Sequence, residues 1–393
     1  MKMSPKFSFS LVTFILLFSN ILLSSSQFSQ AEVIEDKQYP VVNTYYTIEG
    51  DNHPLNPSYN SNGIDLVRLL PSEGNYQDDW AARMNLSSPR EISNIACESN
   101  NRTIYDEHGL SDFNWIWGQF ITHDIDFTLT QNGRVNGTPE TLNIPITGED
   151  KWMDPYSVGT LQIPMTRSMY NQSTGSESLP REFPNSITGW LDGSHVYGSS
   201  NFDSDWLREG SLGRMKSLDT DIGEFLPKAA DGEEAPSVSF VGFSASERFV
   251  AGDSRANEHS ALTAMHVLFL REHNRIASEI YFENPDYSDN EIYQIARKIN
   301  TAQMQYITYF EYLPSLGINL PQYAGFNETI DPRISNEFSA LAFRMGHSQI
   351  NDISPRLGFD YDSSEYESLL LSEGFWDPSR MIREGGIEPI LRG

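Results

Sequence analysis

Four segments carry helical spacing, residues 111–124, 258–278, 289–312 and 335–346, and no comparable period runs through the rest of the 393-residue chain. In the second, Leu262, Met265, Leu268 and Phe269 recur on one side, while Arg271, Glu272 and Arg275 crowd the later turns. Ser335 or Asn336 is placed to cap the fourth, and Gly346 to stop it. Residues 131–250 are instead rich in Gly, Pro, Ser, Asn and Asp, and loops of that length are uncommon unless they are functional or pinned by a ligand. The expected fold is therefore mainly α-helical with long loops. One domain is expected over residues 63–393, preceded by a polar, acidic extension at 27–62, with no linker or internal repeat.

Charge narrows the partners. A formal net charge of −27 and the lack of Lys/Arg clusters argue against nucleic acid and anionic membrane surfaces. At the start, Lys2 and Lys6 precede an apolar run at residues 7–23 and then Ser24-Ser25-Ser26-Gln27, the layout of a secretory signal spanning residues 1–26. The run contains Asn20 and falls short of the ~20 apolar residues of a spanning helix, so a soluble, secreted mature chain is expected. Asn-x-Ser/Thr triplets at Asn85, Asn101, Asn136, Asn171 and Asn327 fit that route. With Cys97 as the single cysteine, neither an intrachain disulfide framework nor a thiolate metal cage can form.

Chemistry concentrates in a few places. Trp117-Gly118-Gln119-Phe120-Ile121-Thr122-His123-Asp124 puts Gln119 and His123 on one helical face, four residues apart, and turns Asp124 about 100° away. One helix can thus serve two sites; a packed, hydrogen-bonded core histidine is the other reading of the same segment. His259, His266 and His273 repeat every seven residues, about 10 Å apart along a helix, too far to share a metal, so packing or solvation is expected for them. In Ala251-Gly252-Asp253-Ser254-Arg255-Ala256-Asn257-Glu258, Arg255 and Glu258 flank a helix start, and either face one cavity or form an ordinary surface pair. His347, three residues after Arg344 at a helix end, is either a metal-binding imidazole beside a cofactor-binding arginine or a structural histidine. Finally, Thr188-Gly189-Trp190-Leu191-Asp192-Gly193-Ser194 turns hard oxygen donors to one side at alternate positions, including the Trp190 carbonyl. With Asp124 this suits calcium, although Asp/Ser/Gly turns commonly bind nothing. GxSxG, GxxxxGK[ST], HExxH and CxxC motifs are absent.

Taken in order, WGQFITHD, TGWLDGSHVYGS, AGDSRANE followed by LTAMHVLFLREHNRIA, and FRMGH resemble the animal-type haem peroxidase superfamily, from about Gly63 to the last residue. The resemblance implies haem b as cofactor, with Gln119 and His123 lining the distal cavity, Arg255 as distal catalytic arginine and His347 as proximal iron ligand. Arg344 would contact a haem propionate. Asp124, Thr188, Trp190, Asp192 and Ser194 match the family's calcium site. Hydrogen peroxide and a small organic donor or halide would be the substrates.

Departures matter as well. Thr122 stands where mammalian members carry a second ester-forming carboxylate, leaving at most one haem ester, through Glu258. His259 replaces a methionine that is haem-linked in one member, and a less oxidising haem suited to phenols, iodide or bromide is implied. The resemblance also places further helices beyond Gly393, one bearing an asparagine that accepts the proximal histidine's N–H. Two alternatives are a fatty-acid dioxygenase relative, disfavoured because Arg344 stands where the radical tyrosine would be, and a catalytically silent calcium-binding or adhesion protein.

Overall fold

A computed structural model describes residues 45–99, 102–130, 140–239, 248–362, 365–375 and 377–393. The signal expected at 1–26 and the triplets at Asn101 and Asn136 lie outside the described residues. In chain order the helices are α1 (Pro89–Ala96), α2 (Phe113–Ile125), α3 (Ser194–Tyr197), α4 (Asn201–Leu207), α5 (Ser260–Glu283), α6 (Asp289–Ile307), α7 (Leu313–Ser315), α8 (Asn336–Ala340), α9 (Leu371–Gly374), α10 (Arg380–Arg383) and α11 (Glu388–Arg392). Three antiparallel two-stranded ribbons complete the described residues: β1 (Ile144–Pro145) with β2 (Gln162–Ile163), β3 (Leu218–Thr220) with β4 (Gly223–Phe225), and β5 (Ile353–Ser354) with β6 (Leu369–Leu370). The mainly α expectation with long loops is borne out.

Helix α5 is the axis of the fold. It begins at Ser260, two residues later than its periodicity suggests, because His259 adopts an extended N-cap conformation and its Nδ1 accepts the Ala261 N–H at 3.1 Å. Leu262, Met265 and Phe269 are buried as expected, and His259, His266 and His273 are buried too rather than solvated. A five-residue connection leads to α6, whose start is fixed by a capping box between Ser288 and Glu291. So short a connection makes the two helices antiparallel neighbours.

Beyond Ile307 the expected helix does not simply run on. A π turn at Thr308–Tyr312 leads into α7, where Pro314 can supply no N–H for a bond to the fourth carbonyl back. That turn brings Tyr312 against α2 at Gly118, where an added Cβ would lie 2.7 Å from the phenol oxygen.

The fourth expected helix is also corrected. Ser335 caps it, accepting from Phe338 N–H at 3.1 Å, but α8 ends at Ala340 because Leu341 leaves helical geometry (φ −130°, ψ −68°). The chain resumes as a 3-10 helix at Ala342–Gln349, so Gly346 does not stop it. Gly346 lies against α2 instead, with its Cβ direction 3.8 Å from the Trp115 side chain.

The main core joins α2, α3 and α5 through Trp117, Phe120, Tyr197, Met265 and Phe269, with Phe120 stacked on Phe269 at 5.2 Å. Residues 45–62 pack on the 188–194 loop, where Trp190 Nε1 donates to the Gly50 carbonyl at 2.9 Å. No helix among the described residues is long and apolar enough to cross a membrane.

Candidate functional site

Helix α2 presents two faces, as its spacing predicts. At its end, Asn185 donates to the Ile125 carbonyl and accepts the Phe127 N–H, both at 2.8 Å, so the exit from the helix is satisfied by a side chain from the neighbouring loop. Thr122 spends its hydroxyl on the Gly118 carbonyl at 2.8 Å, one turn back along the same helix.

On the first face, Gln119 donates to Glu258 Oε2 at 3.1 Å and His123 Nε2 lies 3.9 Å from the same oxygen. His123 Nδ1 is 3.7 Å from Asp253 Oδ1 and takes no hydrogen bond within the described residues. Burial first, then the Arg255 charge, holds the imidazole well below its ordinary pKa, so it is neutral at pH 7. Arg255 is buried and forks onto Asp253, with Nε–Oδ1 at 2.9 Å and Nη2–Oδ2 at 2.7 Å. Nη2 also donates to the Asp126 carbonyl at 3.1 Å, and the guanidinium lies 4.1 Å over the Phe127 ring. The surface-pair reading of Arg255 and Glu258 is thereby corrected: Arg255 is 7% exposed and its ionic partner is Asp253. Glu258, half-buried, has its carboxyl raised mainly by burial, against the pull of Arg255.

This loop can sit so close to α3 because position 252 is glycine. A Cβ there would collide with the Ser194 carbonyl and with the backbone nitrogens of Tyr197 and Gly198.

The second face of α2 holds Asp124 against the 188–194 loop. Ser194 Oγ donates to Asp124 Oδ1 at 2.9 Å and Gly193 N–H to Oδ2 at 3.2 Å. Thr188 Oγ1 and the Ser194 N–H both donate to Asp192 Oδ1 at 3.0 Å. Asp192 Oδ2 is buried without a partner, and burial together with neighbouring Asp124 pushes the Asp192 carboxyl up. Four of the five expected calcium residues thus meet; the fifth, Trp190, lies in the loop between them. No cluster of three or more His, Cys, Asp or Glu suited to a metal occurs among the described residues, and this oxygen-rich pair of carboxylates has a different composition.

His347 is exposed on the 3-10 segment rather than at an α-helix end, and its ring nitrogens take no hydrogen bond among the described residues. Burial and Arg344 lower its pKa, which favours a free lone pair. Arg344 does not stand free: it donates to Asp126 Oδ2 at 3.1 Å and to the Ser339 carbonyl at 2.9 Å. Asp126, fully buried, also accepts from Ser339 Oγ at 2.5 Å, so it ties the His347 segment to the end of α2.

Sequence reasoning passed over three participants. Asp253 was signalled by its place two residues before Arg255, where its carboxylate also accepts the Arg255 N–H at 2.8 Å. Asp126 was visible as the second of two alternating carboxylates. His195, whose Nδ1 is 3.0 Å from Asp124 Oδ1, gave no signal, because a buried histidine next to a loop motif has no characteristic spacing.

A family model described as animal haem peroxidase matches residues 45–393. Thyroid peroxidase of Mus musculus is 32% identical over 392 residues, covering 90% of this chain and 43% of that protein. Lactoperoxidase of Mesocricetus auratus is 34% identical over 386 residues, covering 90% of this chain and 54% of that protein. The chain therefore spans about half the length of these curated relatives. Among solved structures, peroxidase A from Dictyostelium discoideum aligns with a TM-score of 0.75 at 26% identity, covering 89% of this chain and 67% of that one. A fatty acid alpha-dioxygenase from Arabidopsis thaliana aligns at 0.63 and 18% identity over 87% of this chain and 54% of that one, a likeness of fold alone.

Proposed function

The chain belongs to the animal haem peroxidase family, and from that premise we propose that it is a secreted enzyme that reduces hydrogen peroxide while oxidising a small organic donor or a halide. The observation that carries this reading is the buried His123, 3.7 Å from the Asp253 carboxylate onto which the buried Arg255 guanidinium forks.

The residues suit a haem. His123 Nε2 faces Glu258 at 3.9 Å without hydrogen-bonding it, Glu258 is a half-buried carboxyl with a raised pKa, and His347 offers an imidazole with no competing hydrogen bond among the described residues. In this reading His347 would hold the iron, Arg344 would contact a propionate, and Glu258 would be the residue available for a single ester. Haem, when bound, supplies the redox chemistry of peroxide reduction. His123 Nε2, 3.9 Å from Glu258 Oε2, is the nitrogen on the Gln119–Glu258 side and is the base in this reading. His123 then accepts a proton from the attacking peroxide oxygen and returns it to the departing one. Arg255, held by Asp253, stabilises negative charge on the oxygens as their bond breaks. Gln119 orients Glu258 through its Nε2–Oε2 hydrogen bond. Thr122, committed to Gly118, offers no second ester, so phenols, iodide and bromide are better donors than chloride.

Calcium fits the other face of α2. Asp192 Oδ2 without a partner, two buried carboxylates side by side, and the hydroxyls of Thr188 and Ser194 with the Trp190 carbonyl form a hard-oxygen set.

The test is peroxide-dependent oxidation of a phenolic donor by the haem-loaded chain. His123→Ala should lower the rate by about 10²–10⁴ with the haem spectrum retained. Equal rates in the two proteins would remove His123 from the mechanism.

A further inference from the structure

Away from these residues, a recess of about 300 Å³ lies between the turn at residues 78–83 and the ribbon that extends β1 and β2. Its frame is backbone: Arg181 N–H donates to the Trp80 carbonyl at 3.1 Å, and Arg167 N–H to the Glu140 carbonyl at 2.9 Å. Three guanidiniums, Arg83, Arg167 and Arg181, line it, with Trp80 and Leu142 supplying apolar wall. Against these three stand two carboxylates, Asp78 and Glu140, which leaves one guanidinium in excess. Asp78 Oδ1 is occupied by the N–H groups of Trp80, Ala81 and Ala82 at 3.1, 2.7 and 2.7 Å.

Glu140 serves two arginines at once. Arg181 forks onto it at 2.6 and 2.9 Å, while Arg167 Nη1 reaches it only at 3.7 Å and donates to the Ala81 carbonyl at 2.8 Å. Arg181 is 8% exposed, stacked 4.1 Å over Tyr170, and its buried Nε has no partner. Arg83 makes no hydrogen bond or ion pair among the described residues. Burial first, and then the Arg181 charge, hold the Arg167 guanidinium below its ordinary pKa.

We propose that this recess binds a small aromatic carboxylate, its carboxylate between Arg83 and Arg167 and its ring against Trp80. Bidentate guanidinium–carboxylate pairing gives the geometry, and the apolar wall selects an anion that carries a planar body. In a chain of net charge −27, a locally cationic recess is where a small organic anion can be concentrated. None of its lining residues belongs to the His123 cluster or the Asp124 loop, so the proposal stands apart from the peroxidase reading.

The experiment is calorimetric titration of the full chain with benzoate, with benzyl alcohol as the neutral isostere and inorganic phosphate as an anion without a ring. Saturable one-to-one benzoate binding is expected, at least tenfold weaker in Arg167→Gln and in Arg83→Gln, with no benzyl alcohol binding and weaker phosphate binding. Arg83→Gln removes no hydrogen bond or ion pair among the described residues, so unchanged thermal melting separates a lost site from a lost fold. Benzoate affinity unaltered in both variants, absence of binding at millimolar benzoate, or phosphate bound as tightly as benzoate would each overturn the proposal.

Discussion

At the scale of single residues, the same helix turn supports two different electrostatic solutions. His123 is kept neutral by burial beside Arg255, whereas Asp124 and Asp192 are two buried carboxylates, and burial followed by repulsion from Asp124 raises the Asp192 carboxyl. A bound dication relieves that repulsion, and anything that binds the folded state alone stabilises it by mass action, about 2.7 kcal/mol at a hundredfold excess over Kd. Calcium should therefore raise the melting temperature of the wild-type chain by several degrees, and Asp192→Asn should abolish most of that rise while leaving the metal-free melting temperature level or higher. Calorimetry with calcium and with chelator checks this; an equal calcium response in the variant would move the ion elsewhere. Gln119 and His123 were legible because their four-residue spacing puts them on one helix face, whereas Arg255 and Glu258 lie in the loop before α5, where spacing left a surface pair equally open. Asp253 and Asp126 were not legible, because each acts through a contact that closes only when a loop folds over α2.

Among elements, α5 is held by its histidines. His273 Nε2 is 2.9 Å from the Gly213 carbonyl, which can only accept, so that nitrogen carries the proton. Nδ1 then accepts from the Tyr197 hydroxyl at 3.0 Å, and Asn300 of α6 donates to the same oxygen at 2.9 Å. Protonation of Nδ1 would break this junction of α3, α5 and α6. Burial accordingly depresses His273 to about 4 from an ordinary 6.5. Between those values the unfolded chain binds the extra proton and the folded one does not, so the contribution is complete above about pH 6.5 and is lost toward pH 4. Denaturant unfolding at pH 7, 6 and 5 should show the His273→Gln variant losing less stability than wild type, by up to about 1.4 kcal/mol per pH unit; parallel lines would contradict the assignment. The long helices α2, α5 and α6 were readable from periodicity. The break at Leu341 and the π turn at Thr308–Tyr312 were not, because neither segment carries a Gly or Pro at the break itself to mark it.

On the scale of the whole molecule, α2 is the element on which both proposed sites meet, and the loops that looked structureless are what assemble them. The 188–194 loop reaches Asp124, the 251–258 loop reaches His123, and residues 45–62 brace the first of these. Two-residue strands such as β1 and β2 carry no detectable alternation, so the ribbon that frames the cationic recess was invisible in the sequence. The two halves of the proposed haem reading, His123 on α2 and His347 on the 3-10 segment, lie on elements that Asp126 links through Arg344 and Ser339. The most direct measurement is a haem titration of the purified chain, followed by the Soret band. One haem per chain is expected, with a histidine-ligated ferric spectrum that His347→Ala loses and His123→Ala keeps. Failure of the wild-type chain to take up haem, or uptake unchanged in His347→Ala, would contradict the account.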